Sequence, residues 1–192
     1  MRIVRAALVV GLAVVLPSWP AAAVAGTRSW HDATGDVAQS RVGSNVYVPA
    51  PTQVQGDIVR TRVVHAKRAI WVQVRFRDLT TTTNGNFHLI AIRSDRRTRS
   101  IEVDAFPGHW EGAATTRDKR GVAVACAVTH RLDYDRNRLM LRIPRTCVGK
   151  RSSWVRVGVR STVAGTMYAY ADDARATGAV GATPRYGPRV YR

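Results

Sequence analysis

The residues of this 192-residue chain that suit chemistry are two cysteines, eleven aspartates, five histidines and tryptophans flanked by arginine. The aspartates cluster in loops. Asp32 and Asp36 frame a short Asp-Ala-Thr-Gly-Asp segment, Asp57 opens a strand, and Asp172-Asp173 ends another. If the first and last segments lie side by side, these five carboxylates converge on one edge, and hard oxygen donors of that kind suit a structural calcium ion. The competing reading pairs them with arginines and turn caps. Trp71 alternates with Arg75 and Arg77, and Trp154 with Arg156 and Arg160. An aromatic plane beside arginine forks suits sugars or anionic polymers, although a tryptophan near a strand start also serves to cover a sandwich rim.

Cys126 keeps phase with Val122, Val124 and Val128, which directs it at a core, while Cys147 follows the next strand. One disulfide between them closes a loop of about 20 residues, worth roughly 3 kcal/mol on loop-entropy grounds. The alternative is a nucleophilic Cys147. Arg145-Thr146-Cys147 with Arg156 downstream resembles, weakly, the Thr-X-Thr-Cys strand of sortases, which would imply a secreted enzyme using Cys147 or a histidine. Pro144 interrupts that strand, and an unpaired thiolate needs an activating environment. His31, His65, His88, His109 and His130 have no metal-ligand spacing. No Gly-X-Ser-X-Gly, phosphate-loop or His-Glu-X-X-His segment occurs. Asp133-Tyr-Asp135-Arg-Asn137 starts like an EF-hand loop, but Arg138 and Pro144 stand where glycine and glutamate are required, so it reads as a turn.

These groups must be positioned by strands. In Ala69–Arg77, one phase is Ile70, Val72, Val74 and Phe76, and the other is Trp71, Gln73, Arg75 and Arg77. That alternation predicts a strand with one buried and one wet face. Asp57–His65 pairs with it through a Lys67-Arg68 turn. Further strands are predicted over 87–93, 99–106, 121–129, 138–143, 154–163 and 166–171, with one helical turn over 144–149 and a hairpin loop at Thr80–Thr83. The expected fold is all-β: a two-sheet antiparallel β-sandwich, jelly-roll or immunoglobulin-like, with one disulfide.

The N-terminus carries Arg2 and Arg5, then an apolar run from Ala6 to Trp19, then Ala23-Val24-Ala25. This is the pattern of a cleaved export signal, too short to span a bilayer. The expected organisation is a signal peptide at 1–25, a sandwich at 26–176 and an extended basic tail at 177–192. A secreted or cell-wall-associated monomer with no membrane insertion after cleavage follows. Lysine and arginine number 30 against 13 acids, for a net charge of +17, and only Lys67, Lys119 and Lys150 are lysine. Arginine forks favour phosphate and carboxylate polymers, although a GC-rich genome produces the same bias. Nucleic acid would be bound only non-specifically.

Asp32-X-X-Gly-Asp36, Asp57-Ile58-Val59-Arg60-Thr61 and Asp78-Leu79 together resemble a family of small secreted actinobacterial proteins. So do Ile143-Pro144-Arg145-X-Cys147, Trp154–Gly158 and Ala171–Arg175. That resemblance covers nearly all of the chain after the export signal and implies compartment but no activity. The Asp-Gly-Asp and Asp-Ile elements are similar, at the level of fold, to carbohydrate-binding sandwiches of the family 9 type. The leading expectation is a non-enzymatic module for anionic or carbohydrate cell-surface polymers. The alternatives are the enzyme above and a protein-binding or inhibitory module.

Overall fold

The computed structural model describes residues 25–44, 46–178 and 180–192, so the export signal expected at 1–25 lies, except for Ala25, outside the described residues. Chain order is β1 (Gly26–His31), β2 (Ala38–Arg41), β3 (Val48–Pro49), β4 (Ile58–His65), β5 (Ala69–Phe76), β6 (Gly85–Ser94) and β7 (Thr98–Phe106). There follow β8 (His109–Asp118), β9 (Thr129–Asp133), β10 (Arg138–Pro144), the single helical turn α1 (Arg145–Val148), β11 (Trp154–Ala164), β12 (Tyr168–Asp173) and β13 (Val190–Tyr191). Two antiparallel sheets form a sandwich. One has the order β1-β4-β5-β10-β9, and the other β3-β2-β12-β11-β6-β7-β8 with β13 against β11.

Period-two patterning explains the layering. Ile70, Val72, Val74 and Phe76 of β5 face Val155, Val157 and Val159 of β11, all buried in one core. Removing such side chains from water drives the two sheets together, at about 1.5–3 kcal/mol for each fully buried residue. The alternate residues point outward on opposite sides of the sandwich.

Two local expectations change. Residues 121–129 are not a strand apart from Thr129. They run extended, joined to the second sheet by an Arg117–Ala123 bridge, and the outer position of that sheet belongs to β8. The tight Pro107-Gly108 connection delivers β8 directly onto β7, ahead of any later segment. Thr80–Thr83 is not a hairpin loop, because β5 and β6 belong to different sheets and the segment crosses between them.

The Cys126–Cys147 disulfide is present, with the Cα atoms 5.7 Å apart. It ties the irregular 119–128 segment to α1. Arg145, at the start of α1, is buried and donates to the carbonyls of Lys67 (3.2 Å) and Ser152 (2.7 Å). Replacing both cysteines by serine should lower the unfolding free energy by about 2 kcal/mol, below the loop-entropy value because the freed segment has few ladder bonds to lose. Trypsin should then cut first at Lys119 or Arg120. Unchanged stability and an unchanged cleavage pattern would contradict this role.

Residues 180–192 run extended and are held along their length. Val190 is buried, β13 pairs with the start of β11, and the Gly187 amide donates to Val157 O (2.8 Å). Gly158 is required here, since a Cβ on it would stand 2.8 Å from the carbonyl oxygens of Pro184 and Arg185.

Candidate functional site

The outer face of the five-stranded sheet collects arginines by register. His31 opposes Arg60, Arg60 opposes Arg75, and Arg75 opposes Arg138. Adjacent strands lie about 4.8 Å apart, so three guanidinium-bearing residues stand side by side on consecutive strands. The next row along the strands holds Arg62, Gln73 and Met140, and the one after it Val64, Trp71 and Arg142. Like charges directly opposite one another destabilise a sheet, and arginine cannot relieve the strain by losing its proton. Among the described residues, Arg60, Arg62, Arg75 and Arg138 have no carboxylate partner within ion-pair distance. Arg60 donates only to Ser29 Oγ, at 2.7 Å.

This face is shallowly concave. A depression of about 470 Å³ is lined by Arg60, Arg62, Gln73 and Arg75, and by the β9–β10 turn from Asp135 to Arg138. That turn is the segment with the truncated EF-hand pattern. Its shape is fixed by Asn137, whose φ is 51° and whose side chain accepts from Leu79 N and donates to Arg77 O. Trp71 is exposed, with the Arg142 guanidinium 5.9 Å above its ring.

The six residues expected to bind ligand divide into three environments. Trp71 and Arg75 belong to this face. Arg77 turns toward Asp57, 3.0 Å away, and is an ion-pair partner instead. Trp154, Arg156 and Arg160 point out of the opposite sheet, so the two tryptophans do not share a platform. The C-terminal segment occupies their donors: Arg156 binds Gly187 O (2.8 Å) and Tyr186 O (3.2 Å), and Arg160 binds Gly181 O (2.7 Å). Arg189 covers Trp154, 4.7 Å from its ring centroid. Sequence reasoning missed Arg60, Arg62, Arg138 and Arg142. Their outward phase is legible strand by strand, but the side-by-side row exists only once β10 is known to lie beside β5.

A second basic depression runs along Arg93, Arg96, Arg97, Arg99, Lys119 and Arg120. Asp95 and Asp118 sit within it, and Asp118 pairs with Arg120 at 3.5 Å, so its field is partly cancelled. The first depression sets five arginines against Asp135, and the second six basic residues against two acids, so what distinguishes the five-stranded sheet is the side-by-side arginine row and not its net charge.

The carboxylates gather at one end of the sandwich. One oxygen each from Asp36, Asp57 and Asp172 lies within 4.8 Å of the others. The turn through Gly35, whose φ of 77° suits glycine, directs its amide to Asp57 Oδ2 (2.9 Å), which also accepts from Arg77. Asp172 Oδ2 accepts from Ile58 N at 2.6 Å. Burial, reinforced by the neighbouring Asp36 charge, pushes the Asp32 carboxyl up to about 7. Burial, with the charges of Asp32, Asp36 and Asp57, pushes Asp172 up to about 8. Asp36 is raised by burial and by Asp57. Asp173 stands apart from the triad: both its oxygens accept backbone N–H groups, from Arg175 (3.2 Å) and Arg185 (2.9 Å), and it anchors the C-terminal segment.

Cys147 is buried and its sulfur is committed to the disulfide, which removes it as a thiolate nucleophile. His65 and His88 are buried in different sheets, while His109 and His130 sit on the edge strands β8 and β9 and both reach Glu111, His109 Nδ1 3.7 Å from its Oε1 and His130 Nε2 3.1 Å from its carbonyl oxygen. No family model, curated protein or solved structure matches this chain.

Proposed function

We propose that this protein is a secreted, non-enzymatic binding module that holds linear anionic polymers on the outer face of its five-stranded sheet. The observation that carries the reading is the uninterrupted Arg60–Arg75–Arg138 row. A folded domain tolerates three opposed guanidinium groups at a cost in stability, and a ligand with an anion in each repeat offsets that cost. Trp71, on the same face two rows along the strands, or about 13 Å from the arginine row, gives a neighbouring repeat unit an apolar plane to rest on. The oxidised state of Cys147 favours binding over catalysis, and the N-terminal export pattern supports the compartment.

The test uses a polyglycerol-phosphate polymer as probe, with affinity measured across a salt series. Arg75→Ala and Arg138→Ala should each reduce the salt slope by about one, through lost counterion release. Lys150→Ala and Arg151→Ala, on an exposed loop, should leave the slope unchanged. Trp71→Ala should weaken binding by about 1–3 kcal/mol at nearly constant slope. If the loop substitutions flatten the slope as much as the sheet substitutions do, binding follows bulk charge and this face has no special role.

A further inference from the structure

We propose that Asp36, Asp57 and Asp172, with Asp32 beside them, form a calcium site that staples three distant segments of the chain together. An acidic cluster alone would not carry this. The independent observation is that Asp57 and Asp172, at 0% and 1% exposed, each keep a buried Oδ1 with no hydrogen-bond partner. Both Asp36 oxygens and Asp32 Oδ2 are likewise buried and unpartnered. Buried polar atoms are almost always satisfied, and here three carboxylates that carry unpartnered oxygens each bring one oxygen within 4.8 Å of the others, in a strongly basic protein. Ser161, directly opposite Asp172 on β11, has a buried hydroxyl oxygen that likewise finds no partner among the described residues.

The protein partners already present fix the remaining oxygens. Asp57 Oδ2 is held by Gly35 N and Arg77, and Asp172 Oδ2 by Ile58 N. Each of these carboxylates is thereby oriented through one oxygen and left open through the other, as metal ligands are oriented by a second layer of hydrogen bonds. The donor set is all oxygen, without histidine or thiolate, which selects a hard cation over zinc or copper. Several carboxylates drawn from separate segments suit the variable geometry of calcium better than the hydrated octahedron of magnesium. Because Asp36 precedes β2, Asp57 precedes β4 and Asp172 lies in β12, one ion ties the start of the fold to its end.

The experiment takes the chelated and dialysed protein and adds calcium alone, then magnesium alone. Calcium at a hundredfold excess over its dissociation constant should raise Tm by about 5–10 °C. Asp36→Asn is the primary variant, since neither Asp36 oxygen holds the protein together; it should fold and lose most of that rise. Direct calorimetric titration should give one calcium per chain for the native protein and a dissociation constant at least tenfold weaker for Asp36→Asn. A Tm indifferent to chelator and millimolar calcium would overturn the proposal. So would an Asp36→Asn variant with the full rise, or an equal response to magnesium.

Discussion

Deleting residues 180–192 should cost about 4 kcal/mol or more of stability and lower Tm by at least roughly 8 °C. Val190 loses a burial worth about 1.5–3 kcal/mol. Trp30, whose indole lies under Gly187, is uncovered on one face. Arg156 and Arg160 lose the carbonyls they bind, and the N-terminal half of β11 becomes an unpaired edge beside a hydrophobic core. The point substitution Val190→Asp should reproduce much of this by placing a carboxylate in an apolar site. Thermal melts of the three proteins check it. A deletion variant that melts within about 2 °C of the intact protein would show the segment to be ornamental.

The second expectation concerns acid. His88 is fully buried, neither ring nitrogen has a partner among the described residues, and burial lowers its pKa from 6.5 to about 4. Between those values the unfolded chain holds a proton that the folded one does not. Stability from this residue is therefore complete above pH 6.5 and declines as pH falls, by about 3 kcal/mol at pH 4, with no further change below. Asp32 and Asp172 act in the opposite direction. Their folded carboxyls keep protons up to about 7 and 8 while the unfolded ones lose them near 3.8, so without a cation stability falls as pH rises through that interval. Comparing variants separates the two. His88→Leu removes two unsatisfied nitrogens and should gain on the native protein steadily from pH 6.5 down to 4, in denaturant titrations under chelation. Parallel pH profiles would mean that His88 protonates without penalty.

How much of this was readable beforehand depends on the range of the interaction. Ile70 to Phe76 and Val155 to Val159 declare their strands, because the buried phase and the wet phase differ sharply in residue type. β8, with the sequence His-Trp-Glu-Gly-Ala-Ala-Thr-Thr-Arg-Asp, has no such contrast, since an edge strand half open to water needs little apolar surface. The regular valines of 122–128 read better as a strand, yet their alternation serves to bring Cys126 and Val128 against the core. The carboxylate grouping was legible in outline because Asp32–Asp36 and Asp172 flank the first and last core strands. Which oxygens already had partners was not, and neither Arg77 as the partner of Asp57 nor Asp173 as the anchor of Arg185 follows from spacing. The arginine row depends on β10 lying beside β5, a pairing some 65 residues apart along the chain, which no local pattern encodes.

The C-terminal strap also sets a schedule. Gly187 closes over the indole of Trp30 in β1, Val190 is buried in the same core, and His65 Nδ1 lies 3.1 Å from the Val190 carbonyl oxygen. A ribosome that has made β1 through β12 has therefore produced every strand of both sheets except the one that shuts the seam. Until residues 180–192 have been made, the nascent chain carries an open flank on β11 that neighbouring strands could occupy. Chains released early by premature termination carry that flank permanently, and they form the population that chaperones and proteases must clear.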